Sequence, residues 1–294
     1  MDNISRRNFV KTSVMSLALI SIKCGRSGKY FSKWQAFDSH VHLPTVSGKT
    51  YMWHNVLPQE SDCKTFFDYL KQSGVERILG QGTPDVPADS NDAKLVTTAN
   101  ESSLHWRDKY PDFVVPTCNA NPNFLDVSIK EMERMKKEGI AWLGEFTGYM
   151  HNYKYDTPEF YKIVETASDL NYIVSVHTDN DVIVKLLDDF PKVTWNLCHF
   201  TNSRQEMTER FEIGAKHKNM FLDTSGSGIE RMGMLELAVE KMSADRILFG
   251  SDFPINEPGQ SLSRINNAFL PEEDKKKIMR DNLVKVLTEH GASI

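Results

Sequence analysis

Eight short runs rich in apolar and β-branched residues alternate with longer amphipathic runs through residues 34–294. That alternation leaves few folds open, because strands separated by helices pair in parallel and need helices on the outer face. The strand-like runs span 34–40, 75–81, 113–119, 140–146, 172–177, 193–199, 220–224 and 246–252. Between them lie helix signals. Thr157-Pro158-Glu159 offers an N-cap, a proline at the first helical position and an acid in the first turn of a helix ending near Leu170. A last helix begins near Pro271-Glu272-Glu273. Eight such units in about 260 residues match the size of a (β/α)8 TIM barrel, whose strands all point their C-terminal ends at one pocket. The fold class expected is therefore α/β, a single barrel domain over residues 34–294, with no repeat, low-complexity tract or spare segment for a second domain.

Six residues with metal-binding chemistry stand at those C-terminal ends: His40, His42, Glu145, His177, His199 and Asp252. The chain has nine histidines, and four of them end the first, fifth and sixth strands, where only a barrel would gather them. Side chains two apart on a strand share a face, so His40 and His42 can serve one ion while Val41 turns away.

Around these positions the motifs Phe37-Asp38-Ser39-His40-Val41-His42, Val176-His177-Thr178, Leu197-Cys198-His199-Phe200 and Gly250-Ser251-Asp252-Phe253-Pro254 resemble the amidohydrolase superfamily, specifically its amidohydrolase-related (amidohydrolase 2) branch. Ile278-Met279-Arg280-Asp281-Asn282-Leu283 is similar to that family's closing helix, so the resemblance covers about residues 34 to 290. It implies that His40, His42, His177 and Asp252 hold a divalent ion, that Asp252 also takes a proton from the water on that ion, and that His199 orients or polarises the substrate. Zinc is the expected ion, although such ligands also accept manganese, iron or cobalt. Gly144-Glu145-Phe146 resembles instead the bridging-glutamate motif of TatD-like metallonucleases. That likeness implies a second arrangement, with His40, His42 and Asp252 on one ion, His177 and His199 on another, and Glu145 spanning both. Glu145 as a hydrogen-bond acceptor behind a histidine, or as a substrate contact, remains open beside it.

The N-terminal segment Ser5-Arg6-Arg7-Asn8-Phe9-Val10-Lys11, followed by an apolar stretch from about Val14 to Ile22, resembles a twin-arginine export signal. The apolar stretch is short for an ordinary membrane span. Residues 1–23 are expected to form the signal and 24–33 a polar linker, with the export machinery as partner and the periplasm as destination. Cys24 stands where a lipid-anchor cysteine would stand, but Ser21-Ile22-Lys23 lacks the small residue usual before one. Removing residues 1–23 takes away Arg6, Arg7, Lys11, Lys23 and Asp2, so the net charge of −5 becomes −8.

An acidic chain without basic runs has no electrostatic footprint for nucleic acid, so a small organic substrate is expected. Of the 4 cysteines, Cys63, Cys118 and Cys198 follow Cys24 at spacings that form no disulfide pattern. Cys118 and Cys198 fall in strands and read as buried thiols, with Cys198 facing away from the pocket that His199 faces. Substrate contacts are sought in the loops after the strands. Tyr149, Arg204 and Arg231 are the candidates, the arginines for a substrate carboxylate, with Trp53, His54, His151 and Tyr153 nearby in the first and fourth loops. The activities expected are hydrolysis of a lactone, ester or amide, then non-oxidative decarboxylation of a small acid, then two-metal phosphoesterase chemistry. A barrel that has lost its chemistry fits poorly with so complete a ligand set. Oligomeric state is not legible.

Overall fold

The computed structural model describes residues 36–48, 62–87 and 89–294. The proposed signal, the linker, Cys24, Trp53 and His54 lie outside them. Eight parallel strands follow one another in sequence order: β1 (Ala36–His42), β2 (Val75–Gln81), β3 (Val114–Pro116), β4 (Trp142–Phe146), β5 (Ile173–Val176), β6 (Thr194–Leu197), β7 (Met220–Asp223) and β8 (Ile247–Leu248). β1 to β3 form one sheet and β4 to β8 another. The seams between them are bonded. Cys118 N–H donates to Trp142 O at 2.8 Å and Gly144 N–H to Cys118 O at 2.9 Å, joining β3 to β4. Ser39 N–H to Phe249 O, Asp252 N–H to His40 O and His42 N–H to Phe253 O, at 2.8 to 2.9 Å, join the end of β8 to β1. The result is an α/β fold of parallel strands consistent with a (β/α)8 barrel.

Helices cover the outside. The principal ones are α1 (Lys64–Gln72), α2 (Lys94–Lys109), α3 (Leu125–Lys137), α4 (Gly148–His151), α5 (Pro158–Asp169), α6 (Asn180–Asp189), α7 (Arg204–Lys216), α8 (Met234–Met242) and α9 (Pro258–Asn266). No helix among the described residues is long and apolar enough to cross a membrane. The Thr157 cap predicted from sequence is present, its side chain accepting from Phe160 N–H at 3.2 Å. Beyond Pro271 the chain forms α10 (Glu272–Lys276), a π-helical segment (Lys277–Asp281) and α11 (Asn282–Glu289). Leu283, Val286 and Leu287 of α11 pack with Phe37, Leu79, Val115, Trp142, Ile173 and Leu248, one residue from each of six strands. A larger cluster, holding Val41, Leu143, Val174, Leu197 and Leu222 with Phe67, Ile163, Phe211 and Leu235, fills the space between strands and helices.

β1 departs from strict alternation. Phe37 packs in the α11 cluster and Val41, four residues on, in the strand–helix cluster. A register irregularity between Asp38 and Val41 accounts for this, shifting the alternation by one. It lets an apolar residue fill the inside low in the strand while His40 and His42 face inward at its end.

Candidate metal centre

Each predicted ligand arrives from the end of a strand. β1 supplies His40 and His42, β4 supplies Glu145, His177 directly follows β5, and His199 and Asp252 stand shortly after β6 and β8. The barrel brings all six together. Four groups fall within 4.8 Å among themselves: His40, His42 and Asp252; Glu145, His177 and His199; His40 with His199 and Asp223; and His40 with Glu145 and Cys198. His177 therefore falls with Glu145 and His199, rather than completing the single-ion set of His40, His42 and Asp252.

Glu145 stands between the groups. Its Oε2 lies 3.3 Å from His40 Nε2 and 3.8 Å from His42 Nε2, while Oε1 lies 3.1 Å from His177 Nδ1 and 3.5 Å from His199 Nε2. One carboxylate thus turns an oxygen toward each pair of imidazoles, the placement a bridging ligand requires. Asp252 Oδ1 lies 3.0 Å from His42 Nε2 and 3.5 Å from His40 Nε2. His40 Nε2 is buried and makes no well-formed hydrogen bond, although two carboxylates face it. A buried nitrogen left over among carboxylates and imidazoles is satisfied by a cation, and the donor set of imidazole and carboxylate fits a divalent metal ion.

Electrostatics agree. Burial disfavours a charged His40, yet Glu145 and Asp223 outweigh it and hold its pKa well above the usual histidine value. Burial likewise works against an ionised Glu145, but His40, His177 and His199 pull its pKa well below the ordinary range. The site favours negative carboxylates opposite positive charge, which a metal supplies as well as protons do.

Several supporting residues escape a reading of the sequence. Asp223, ending β7, accepts at Oδ2 from Asn196 Nδ2 at 2.9 Å and faces His40 Nδ1 at 3.2 Å. It is fully buried and ionised, since His40, His199 and Ser225 overcome the burial penalty and depress its pKa. With Asp223 behind Nδ1, the Nε2 of His40 is left for the site, as carboxylate-backed imidazole ligands generally are. Ser225 Oγ, 2.8 Å from His199 Nδ1, fixes that ring in the same sense. Gln81 holds the Glu145 backbone from both sides, accepting from its N–H at 2.9 Å and donating to its carbonyl at 3.2 Å. Asp38, pushed up to about 7 by burial, accepts from His40 N–H at 3.1 Å and Ser251 N–H at 2.9 Å, tying β1 to the end of β8. Gly250 permits that seam, because a Cβ there would stand 3.0 Å from His40 Cβ and 3.1 Å from Ser225 Cβ.

Arg210 on α7 is the largest omission. Only 4% exposed, it donates to Cys198 O at 2.8 Å, His199 O at 2.7 Å, Thr178 O at 2.9 Å and Asn180 Oδ1 at 3.0 Å. Hydrogen bonds from a charged donor contribute about 1.5–3 kcal/mol each, enough together to offset several kcal/mol of burial. Burial lowers its pKa only to about 10, so the guanidinium stays charged at neutral pH. It ties down the segments that carry His177 and His199.

Two backbone departures explain what alternation could not. His199 and Asp252 have φ of 69° and 67°, in the left-handed region uncommon for non-glycine residues. At His199 this breaks the strand alternation, and Cys198 Sγ, expected to face away, comes within reach of His40 and Glu145. Burial and the neighbouring carboxylates hold its thiol pKa well above normal.

The cavity over this centre is lined by Leu43, Val86, Leu95, Val96, Ala99 and Ile255, with Asn119, Tyr149 and His151 among the polar contributors. Tyr149 sits at its mouth, 69% exposed, its ring 5.2 Å from that of His177. Arg204 and Arg231 do not reach it. Arg204 opens α7 and Arg231 lies past the Ser225–Gly228 turn; both are exposed and share a separate surface recess with Met232 and Glu236. A first-turn side chain directed to solvent has no route over the strand ends to the centre.

Comparison with known proteins places this geometry. The family model described as amidohydrolase matches residues 37–287. No curated protein sequence matches the chain. Among solved structures, a Staphylococcus aureus protein described as an amidohydrolase superposes with TM-score 0.68 at 16% identity, covering 86% of this chain and 99% of that one. A dihydroxybenzoic acid decarboxylase from Polaromonas sp. JS666, with bound manganese and 2-nitroresorcinol, gives 0.61 at 18% identity over 87% and 97%. An Acinetobacter baumannii protein described as a probable 2-pyrone-4,6-dicarboxylic acid hydrolase, with citric acid bound, gives 0.63 at 15% identity over 86% and 99%. These likenesses are of fold, whereas the family match spans nearly the whole barrel and carries the ligand-bearing strand ends with it: the chain is a metal-dependent enzyme of the amidohydrolase family.

Proposed function

We propose that this enzyme hydrolyses an acyl bond, in a lactone, ester or amide, using two divalent ions bridged by Glu145. The observation that supports it most is Glu145, with one oxygen toward His40 and His42 and the other toward His177 and His199. His40, His42 and Asp252 would hold one ion and His177 and His199 the other. Bound there, divalent ions supply Lewis acidity toward a substrate carbonyl and lower the pKa of water. The chain's own residues do the rest. Asp252 Oδ2, 3.3 Å from Asn256 Nδ2, keeps a lone pair for the proton of the attacking water and later passes it to the leaving group. His199, with Ser225 at its Nδ1, keeps Nε2 for the second ion. The apolar wall excludes bulk water from the reacting bond. Zinc is the proposed ion.

Decarboxylation of a small acid is the second reading, favoured by the likeness to the Polaromonas decarboxylase. The carboxylate-binding arginine expected for it is not supplied by Arg204 or Arg231, since neither lies in the cavity.

Elemental analysis of protein folded without added metal, on wild type and Glu145→Gln in parallel, tests the two-ion reading. Two ions per chain falling toward one in Glu145→Gln is the expected result, and one ion in both rejects the bridge. For cellular location, the Arg6-Arg7 segment supports twin-arginine export to the periplasm. Arg6→Lys with Arg7→Lys is expected to hold the enzyme in the cytoplasm, and unchanged fractionation rejects export.

A further inference from the structure

Two recesses, the first more apolar than the second, meet at the candidate metal centre. One is the cavity already described, whose wall over the ends of β2 to β4 is apolar: Val86, Leu95, Val96, Ala99 and Met150, with Ile255 opposite. The other opens over the ends of β5 to β8 and is mixed in character, with hydroxyl and amide side chains of Thr178, Thr201, Asn202, Ser227 and Asn256 in its lining and Asp179 and Glu206 at its edge. His177, His199 and Asp252 line both. They form the wall that the two spaces share.

We propose that the substrate is a two-part conjugate that straddles this wall, an apolar ring or chain in the first recess joined through the scissile bond to an uncharged, hydroxyl- or amide-bearing part in the second. The proposal rests on the hydrolytic reading of the centre. The chemistry of each side supports it separately. Leu95, Val96 and Ala99 project from successive turns of one helix, α2, and offer a continuous apolar face on one side of a cavity whose polar groups, among them Asn119, Tyr149 and His151, lie elsewhere in its lining. On the other side, hydroxyl and amide side chains offer both donors and acceptors. Arg210 also lines that recess, but four of its N–H groups are spent on Thr178, Cys198, His199 and Asn180. With the guanidinium committed and acids at the edge, an anionic group is disfavoured there. A uniformly apolar substrate would leave these polar groups facing hydrocarbon, and a uniformly polar one would leave the apolar wall wet. Either mismatch costs binding, whereas a conjugate satisfies both. Hydrolysis then separates the parts: water oxygen bonds to the acyl carbon, the acyl C–O or C–N bond breaks, one water proton goes to the leaving oxygen or nitrogen, and the acyl part departs as a carboxylic acid.

Four esters built from two groups test this on the metal-loaded full chain: phenylpropyl phenylbutanoate, glyceryl phenylbutanoate, phenylpropyl glycerate and glyceryl glycerate. At least one mixed ester is expected to exceed both uniform ones in kcat/KM by about tenfold. Val96→Phe, which fills the apolar recess, should remove that lead through the apolar part. Ser227→Ala with Asn202→Leu should remove it through the polar part. The proposal is overturned if phenylpropyl phenylbutanoate matches or beats the mixed esters, or if neither variant changes the ranking. If no ester is cleaved, the hydrolytic reading fails for open-chain esters and the recesses are judged by binding alone. The four corresponding ethers, which cannot be hydrolysed, are then titrated calorimetrically. Tighter binding of a mixed ether supports the straddled site, and equal binding of all four rejects it.

Discussion

The two halves of the donor set are held in different ways. His40, with its side chain 4% exposed, is backed by the fully buried carboxylate of Asp223 and anchored by backbone bonds across the seam from β8 to β1. His177, with its side chain 36% exposed, faces Glu145 and owes the position of its segment to a cation, since Arg210 grips the carbonyl of Thr178 beside it. A buried carboxylate behind an imidazole raises its basicity and fixes its orientation. A guanidinium on the backbone fixes position alone. On the proposed two-ion reading, the half around His40 would hold its ion more tightly, and the half around His177, nearer solvent, more loosely.

Changes on either side should break this comparison in different ways. The largest effect is expected from Asp252→Asn, which keeps a ligand oxygen but removes the proton acceptor: turnover should fall by about 10²–10⁴-fold while metal content holds. Turnover near wild type would take Asp252 out of the proton path. Next, Arg210→Met leaves the carbonyls of Thr178, Cys198 and His199 without their donor. Denaturant unfolding should show a loss of roughly 3 kcal/mol, and metal titration should show weakening confined to the His177 side. Equal weakening on both sides would erase the distinction drawn between them. Asp223→Asn is expected to act on the other half, costing about 10–100-fold in metal affinity at the His40 side. Dialysis against a chelator would sharpen the point, with the ion at His177 and His199 leaving first and loss in the reverse order contradicting the burial argument. The smallest change is Ser225→Ala, which removes one hydrogen bond behind His199 and should cost about 1 kcal/mol, read as a modest rise in KM with stability nearly unchanged.

How much of the site was legible depended on where each residue stood relative to strand periodicity. His40, His42, Glu145, His177, His199 and Asp252 were readable because they end apolar runs, and a barrel sends every such end to one place. Asp223 ends a run just as they do. It carries no histidine beside it, and a lone aspartate at a strand end reads as a turn residue. Arg210 lies mid-helix among Glu206, Glu209 and Glu212, where an arginine reads as a solvent-facing partner for neighbouring acids. Only packing α7 against the ends of β5 and β6 turns it inward. The opposite error applies to Arg204 and Arg231, whose positions after strand ends suggested the pocket while their helical and turn geometry sends them outward.

The sequence by itself determined the parallel α/β architecture, the order of its units and most of the residues that converge, because strand ends in such a fold share one face regardless of loop detail. The tertiary structure decided how those residues divide. Grouping Glu145 with both pairs of histidines, bringing Cys198 round beside His40, and separating a more apolar from a less apolar recess all depend on distances across the barrel and on the left-handed backbone at His199 and Asp252. Periodicity sets which face a residue takes, but distance between faces arises only when the sheet closes.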